Sequence, residues 1–271
     1  MKTWGNLLRK TVLLPLLMPL LLMAYSDADF DGVADEHDLC PNSTMLDIVN
    51  KDGCSIEKLI LPKSNQHVDL ILGLNTVKLA NTDQRSINES LQIDYYHHNF
   101  TLQLLSNNYE EEGLGDTTIA LCYRLNPSSK LSLSLGASII LPTYQSDFDN
   151  NNVDYKLSTA LTYQLSSLSI FLGSSYTLIN DDDINGSNYN IHYQNSQNLY
   201  FGLGSYLSSR LYSSIIYSDS SALYKGGEHL KSLSLYNHYR IDPHWFSRFG
   251  YVQGLNESSS DQLYLNMGYF F

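Results

Sequence analysis

Leu263-Tyr264-Leu265-Asn266-Met267-Gly268-Tyr269-Phe270-Phe271 alternates without a break. Leu263, Leu265, Met267, Tyr269 and Phe271 share one parity, and Gln262, Tyr264, Asn266, Gly268 and Phe270 share the other. A strand sends successive side chains to opposite faces, so one face here is wholly apolar and the other is mixed polar.

This stretch resembles the C-terminal strand of bacterial outer-membrane β-barrels, whose terminal Phe belongs to an insertion signal. The resemblance implies a Gram-negative outer-membrane address, with bilayer lipids and the barrel-insertion machinery as partners. Leu263, Leu265, Met267, Tyr269 and Phe271 would carry the signal. The other end of the chain agrees. Lys2, Arg9 and Lys10 precede an apolar run from Val12 to Met23, and Ala24-Tyr25-Ser26 supplies small residues for cleavage. We read residues 1–26 as a cleaved secretory signal, since the run falls short of the roughly 20 residues of a spanning helix. An uncleaved anchor is the alternative.

Without the signal the chain keeps 13 Lys+Arg against 28 Asp+Glu, a formal charge of 13 − 28 = −15. Such a chain repels polyanions, which excludes nucleic acid as a partner. Its 43% hydrophobic content looks soluble, but alternation averages the apolar face of a barrel with its polar one.

Acidic residues crowd the segment after the signal. Asp27, Asp29, Asp31, Asp35 and Asp38 fall at offsets 1, 3, 5, 9 and 12, with Gly32 at offset 6 and the Val33 carbonyl at offset 7. Alternate carboxylates around a glycine turn converge on one Ca²⁺ ion, as in an EF-hand loop, although offset 12 is Asp in place of Glu. With Cys40-Pro41-Asn42-Ser43 and Gly53-Cys54, residues 27–54 resemble a thrombospondin type-3 repeat. That resemblance implies a bound Ca²⁺ and a Cys40–Cys54 disulfide in a periplasmic module. The bland alternative is a disordered acidic tail. Cys122 is left as a small apolar side chain.

After a connector at 55–66, strand-like segments follow one another from 67 to 271. We count twelve, at 67–79, 87–97, 99–107, 115–125, 130–141, 153–165, 167–178, 196–206, 209–218, 229–240, 244–254 and 261–271. Connections after even strands are tight, and those after odd strands are longer and more acidic. Short periplasmic turns and long external loops sort in this way. Tyr155 and Tyr163, eight residues apart on one apolar face, span roughly 20 Å along the membrane normal at a tilt near 40°. The expected fold is all-β: a 12-stranded antiparallel transmembrane barrel behind a small calcium-binding loop module.

Residues 113–143 carry Gly115-Asp116, Tyr123-Arg124 and Leu141-Pro142-Thr143. They resemble the outer-membrane family associated with meta-pathway phenol degradation, except that Tyr144 stands where that family has Gly. The resemblance implies uptake of small, often hydrophobic molecules. By parity Asp69, Asn75, Gln92, Asp94, Arg124, Lys156, Gln164, Arg210, His238, Arg240 and Arg248 point into the lumen. Two readings of that lumen stay open: a narrow polar channel and a closed plug of salt bridges. A non-conducting anchor that presents the calcium module is the structural alternative. An enzyme is not expected, because none of the eight His residues has the Ser two positions on that outer-membrane lipases use.

Overall fold

The computed structural model describes residues 33, 37–40, 47–52, 54–58, 66–78, 84–110, 113–145, 150–185 and 190–271. Residues 1–26, the expected signal, lie outside this set, as do Asp27, Asp29, Asp31 and Asp35.

Twelve long strands dominate. They are β1 Gln66–Lys78, β2 Arg85–His97, β3 Phe100–Tyr109, β4 Thr117–Ser128, β5 Leu131–Leu141, β6 Asp154–Leu165, β7 Leu168–Leu178, β8 Ser196–Tyr206, β9 Leu211–Ser220, β10 Leu230–Arg240, β11 Trp245–Gly254 and β12 Asp261–Phe270. Neighbours in sequence pair antiparallel, β12 pairs with β1, and the sheet returns on itself as a closed barrel. Closure satisfies every edge, which lipid requires. The described residues contain no helix.

Each expected strand is present, with ends shifted by a few residues. The largest shift is at β4, which runs on through Pro127. Pro lacks an N–H, and the ladder to β5 is already irregular between Leu125 and Ser128, so no hydrogen bond is forfeited there. Arg210 falls just outside β9, in the turn at 207–210, so strand parity does not fix its direction.

Burial separates the two faces of the wall. Leu72 is 59% exposed and Leu263 61%, with Leu121, Leu157, Tyr155 and Tyr163 exposed beside them. Their alternates Asp69, Ile71 and Ala120 are buried. The apolar set therefore faces out, where lipid removes it from water. Outward aromatics gather near the short turns: Phe100 lies 4.7 Å from Tyr123, and Trp245 4.9 Å from Tyr269. This is the girdle expected at a bilayer interface.

Turns at one end span 98–99, 129–130, 166–167, 207–210 and 241–244; loops at the other span 79–84, 110–116, 142–153, 179–195, 221–229 and 255–260. The 98–99 turn holds His98 at φ 55°, the left-handed geometry that a two-residue hairpin needs. Asp242 shapes the 241–244 turn by accepting the N–H groups of His244 and Trp245, both at 2.8 Å.

Inside, aromatic rings lie over glycines of the next strand. A Cβ on Gly268 of β12 would collide with the ring of Phe246 from β11. Tyr200 covers Gly173 in the same manner. Bare backbone at these points lets large rings lie flat against the wall.

A separate small unit comprises residues 1–60 with the turn region Tyr206–Tyr212. Cys40 and Cys54 form a disulfide. The segment Asp47–Val49 pairs with Ser55–Lys58 beside it.

Candidate functional site

The inward face carries the chemistry. Asp69 and Asp94 sit directly opposite each other on β1 and β2, 2% and 3% exposed. Asp94 is fixed by neutral donors: Gln92 Nε2 gives to Oδ2 at 2.7 Å, Gln103 Nε2 to Oδ1 at 2.8 Å, and the Tyr96 hydroxyl to Oδ2 at 3.4 Å. Asp69 Oδ1 is buried and accepts no hydrogen bond. Its nearest cationic candidate is His67, with Nε2 at 3.6 Å.

Two arginines flank this pair along the wall. Arg248 projects from β11, with its guanidinium carbon 4.9 Å from the centre of the Phe246 ring and its Nε buried without a partner. Arg124 lies on the other side, on β4, beside inward Cys122 and opposite Ser134. Among the described residues, neither arginine forms a contact ion pair with either aspartate.

Phe246 is fully buried beneath Arg248, with ring contacts at 5.2 Å to His238 and 4.9 Å to Phe270. His67 stacks on Tyr96 at 4.2 Å. Register at about 3.3 Å per residue and 4.8 Å per strand puts Asp69, Asp94, Arg124 and Arg248 within about 6 Å of one level along the axis. That level coincides with the aromatic girdle at the turn end.

Two of the remaining candidates adjoin this layer, and the others are spread out. Arg240 and His238 share the inward parity of β10, opposite Phe246 and Arg248. Lys156 occupies an inward-parity position on β6, opposite Ser138, nearer the loops. Gln164 accepts from Ser169 Oγ at 2.6 Å near the turn end. Phe246 and Phe270 were not foreseen from sequence as parts of this layer. Parity was the available signal, because Phe246 is two residues from Arg248.

Residues at the loop end form a second cluster. Asp116 Oδ1 accepts from Asn151 Nδ2 at 2.8 Å and from the Tyr144 N–H at 3.1 Å. Asp181 Oδ1 accepts the Asn152 N–H at 2.9 Å, and burial beside Asp116 and Asp182 raises its carboxyl above the ordinary range. Asp183 binds His192 Nδ1 at 2.7 Å and the Tyr193 N–H at 2.9 Å, which hold its carboxyl below that range. Among the described residues, no group of three or more His, Cys, Asp or Glu is arranged to hold a metal ion.

On the outer wall, a groove of about 590 Å³ runs between Leu72, Leu74, Leu91, Leu265 and Met267. Glu89 lines its polar part and accepts from Asn108 Nδ2 at 3.4 Å. It faces outward and is separate from the lumen.

Of the calcium candidates, Val33 and Asp38 are described. Asp38 Oδ1 accepts the Cys40 N–H at 2.7 Å, while its Oδ2 is buried with no hydrogen-bond partner. An orphaned carboxylate oxygen at the last ligand position fits a cation site. In β12, Leu263, Leu265 and Met267 face outward with Tyr269, and the Phe271 N–H reaches Val68 O at 2.9 Å.

Residues 67–261, nearly the whole barrel, match the family described as "Putative MetA-pathway of phenol degradation". The chain belongs to that family. Among solved structures, an outer membrane channel from Pseudomonas putida F1 is similar at 13% identity and a TM-score of 0.62, covering 77% of this chain and 96% of that one. The NanC porin matches at 12% identity and a TM-score of 0.55, covering 74% and 98%. The KdgM porin matches at 13% and 0.54, again covering 74% and 98%. At these identities the likeness is one of fold. No curated protein sequence matches the chain.

Proposed function

We propose that this protein is a passive channel for small solutes in the outer membrane of a Gram-negative bacterium, with its short turns in the periplasm and its acidic loops outside. The carrying observation is the state of the interior charges. Asp69, Asp94, Arg124 and Arg248 face one lumen, yet the acids are held by neutral donors or left unbonded, and the arginines stand apart from them. In a dry plug, separated opposite charges bear a large desolvation cost that contact pairing reduces. Arg124 keeps its charge hydrated because it is exposed on the inward face, as in the polar interiors of conducting barrels. The fold shared with an outer membrane channel and two porins supports the same reading.

Purified protein in planar bilayers should show discrete conductance steps, and liposomes that contain it should swell in small permeant solutes. Sealed bilayers together with unswollen liposomes would overturn the channel and leave an anchor.

The N-terminal unit fits a periplasmic calcium-binding repeat of the thrombospondin type-3 kind. Asp27, Asp29, Asp31, the Val33 carbonyl, Asp35 and Asp38 would hold the ion, and the Cys40–Cys54 bond would close the loop. The buried free oxygen of Asp38 supports this assignment. Calcium would neutralise carboxylates that otherwise repel one another. Isothermal calorimetry on the full chain should show a calcium-binding heat that Asp38→Asn weakens about tenfold; no heat at millimolar calcium would reject the site.

A further inference from the structure

The groove on the outer wall is polar toward the loops and apolar toward the turns. It crosses β12, β1, β2 and β3. Leu265, Leu74, Glu89 and Asn108 lie directly opposite one another along one outward row, and Met267, Leu72, Leu91 and Ser106 along the next row on the turn side. Glu89 is exposed and shares its face of β2 with Tyr95 of the turn-side aromatic belt. The two are roughly 15 Å apart along the membrane normal at 3.3 Å per residue and a 40° tilt, which leaves Glu89 inside an apolar band about 25 Å tall. A carboxylate that faces hydrocarbon is costly unless it is paired. Among the described residues the donor to Glu89 is the Asn108 amide, at a long 3.4 Å. Nearer the loops, about 10 Å higher along the normal, Arg85 points to the same side. It is exposed and forms no ion pair among the described residues. Lys78 lies directly opposite Arg85, with Asp261 on its other side. Like charges directly opposite on one face repel, and an anion seated between them relieves that repulsion.

We propose that this strip of wall binds one outer-leaflet lipid, a phosphorylated glycolipid whose acyl chains carry hydroxyl groups. The inference rests on the orientation proposed above, with the loops outside, and is independent of conduction. The phosphate meets Arg85 and Lys78, a chain hydroxyl donates to Glu89, and the chain runs on over Leu74, Leu91, Leu72 and Met267. From the loops downward the wall presents cations, then a carboxylate acceptor, then unbroken apolar surface. A hydroxylated glycolipid presents phosphate, hydroxyl and chain in the same order, because the hydroxyl sits a few bonds below the phosphorylated sugar. The plain acyl chain of a glycerophospholipid has no donor at that depth, so Glu89 tells the two apart. An arginine suits the phosphate because its planar fork donates twice. Ser106 makes the room: it is short where Leu102 and Leu104, on the same face of β3, stand out from the wall.

The test titrates the full-length protein in detergent with lipid A and reads the complexes by native mass spectrometry. One lipid A should be retained, about tenfold more tightly than phosphatidylglycerol, whose chains carry no hydroxyl. Arg85→Gln should weaken lipid A about tenfold by removing a charge-assisted contact. Glu89→Leu should erase the preference for lipid A over an analogue with unhydroxylated chains. Ser106→Trp, which fills the groove from a lipid-facing position, should abolish retention. All three variants should keep the compact, fast-migrating form on unheated gels. Equal retention of lipid A and phosphatidylglycerol, or retention that none of the variants alters, overturns the site. A lipid-free dimer that Ser106→Trp disperses also overturns it, because a second copy then occupies the groove. Absent conductance beside intact lipid A binding rejects the channel and leaves this site standing.

Discussion

The two ends of the barrel are built by different means. At the turn end the connections are two to four residues long, and the interior is packed with buried aromatic and charged side chains under Phe246 and Asp94. At the loop end the connections reach seventeen residues, in 179–195, and order comes from Asn and Asp side chains that bridge one loop to the next and from the Asp183–His192 tie within 179–195. The first arrangement depends on burial and steric fit, and the second on exposed hydrogen bonds. Exposed polar ties contribute little each, and they answer to pH and solvent. One end is therefore suited to discriminate and the other to adjust.

The sharpest way to break this contrast is at the packed end. Phe246→Ala should remove about 3–5 kcal/mol, the usual range for emptying a buried aromatic site. It should lower the temperature at which the barrel loses its compact, fast-migrating form on unheated gels. An unchanged transition would mean that the inner layer is not packed as described. A loop tie should cost far less. Asn151→Ala, which removes the side-chain bond to Asp116, should shift the same transition by about 1 kcal/mol or less. A large shift there would erase the distinction between the ends.

The mildest expected effect is a pH response confined to the loops. Asp183 has its carboxyl lowered in the folded protein, first by His192 and then by the Tyr193 N–H. Its stabilising contribution is complete above the ordinary Asp value of about 3.9 and is lost as pH falls through the lower folded value. Burial and neighbouring carboxylates act on Asp181 in the opposite sense, so its ionisation penalty is relieved as pH falls. Protease cutting within 179–195 should therefore increase only in strong acid. Asp183→Ala should bring that increase to neutral pH, without altering the gel transition. Cutting from outside intact cells would also test the proposed orientation, and protection in every condition would reverse it.

Much of the barrel was legible because a transmembrane strand repeats one simple rule over ten or more residues. Leu131 to Leu141 alternate so regularly that face and length follow from them alone. Inward parity placed Asp94, Arg124 and Arg248 on the lumen side for the same reason. What parity does not carry is the level of each residue along the axis, which accumulates over every register from β11 round to β4. The shared level of Asp69, Asp94, Arg124 and Arg248 was invisible until those registers were known. Phe246 was hidden differently: an apolar residue in such a strand reads first as lipid-facing, and only its spacing from Arg248 argues otherwise. The loop ties between Asp116 and Asn151, or Asp183 and His192, join residues that no periodicity connects.

Gly268 beneath Phe246 gives the sheet a means of proofreading itself. A strand that slips by two residues keeps its ladder and keeps each side chain on its proper face, so hydrogen bonding alone cannot detect the mistake. Sliding β12 by two against β11 would bring Asn266 or Phe270 under the Phe246 ring, where even a single added carbon has no room. The misaligned pairing is thus rejected by shape as the last hairpin forms, before β12 meets β1.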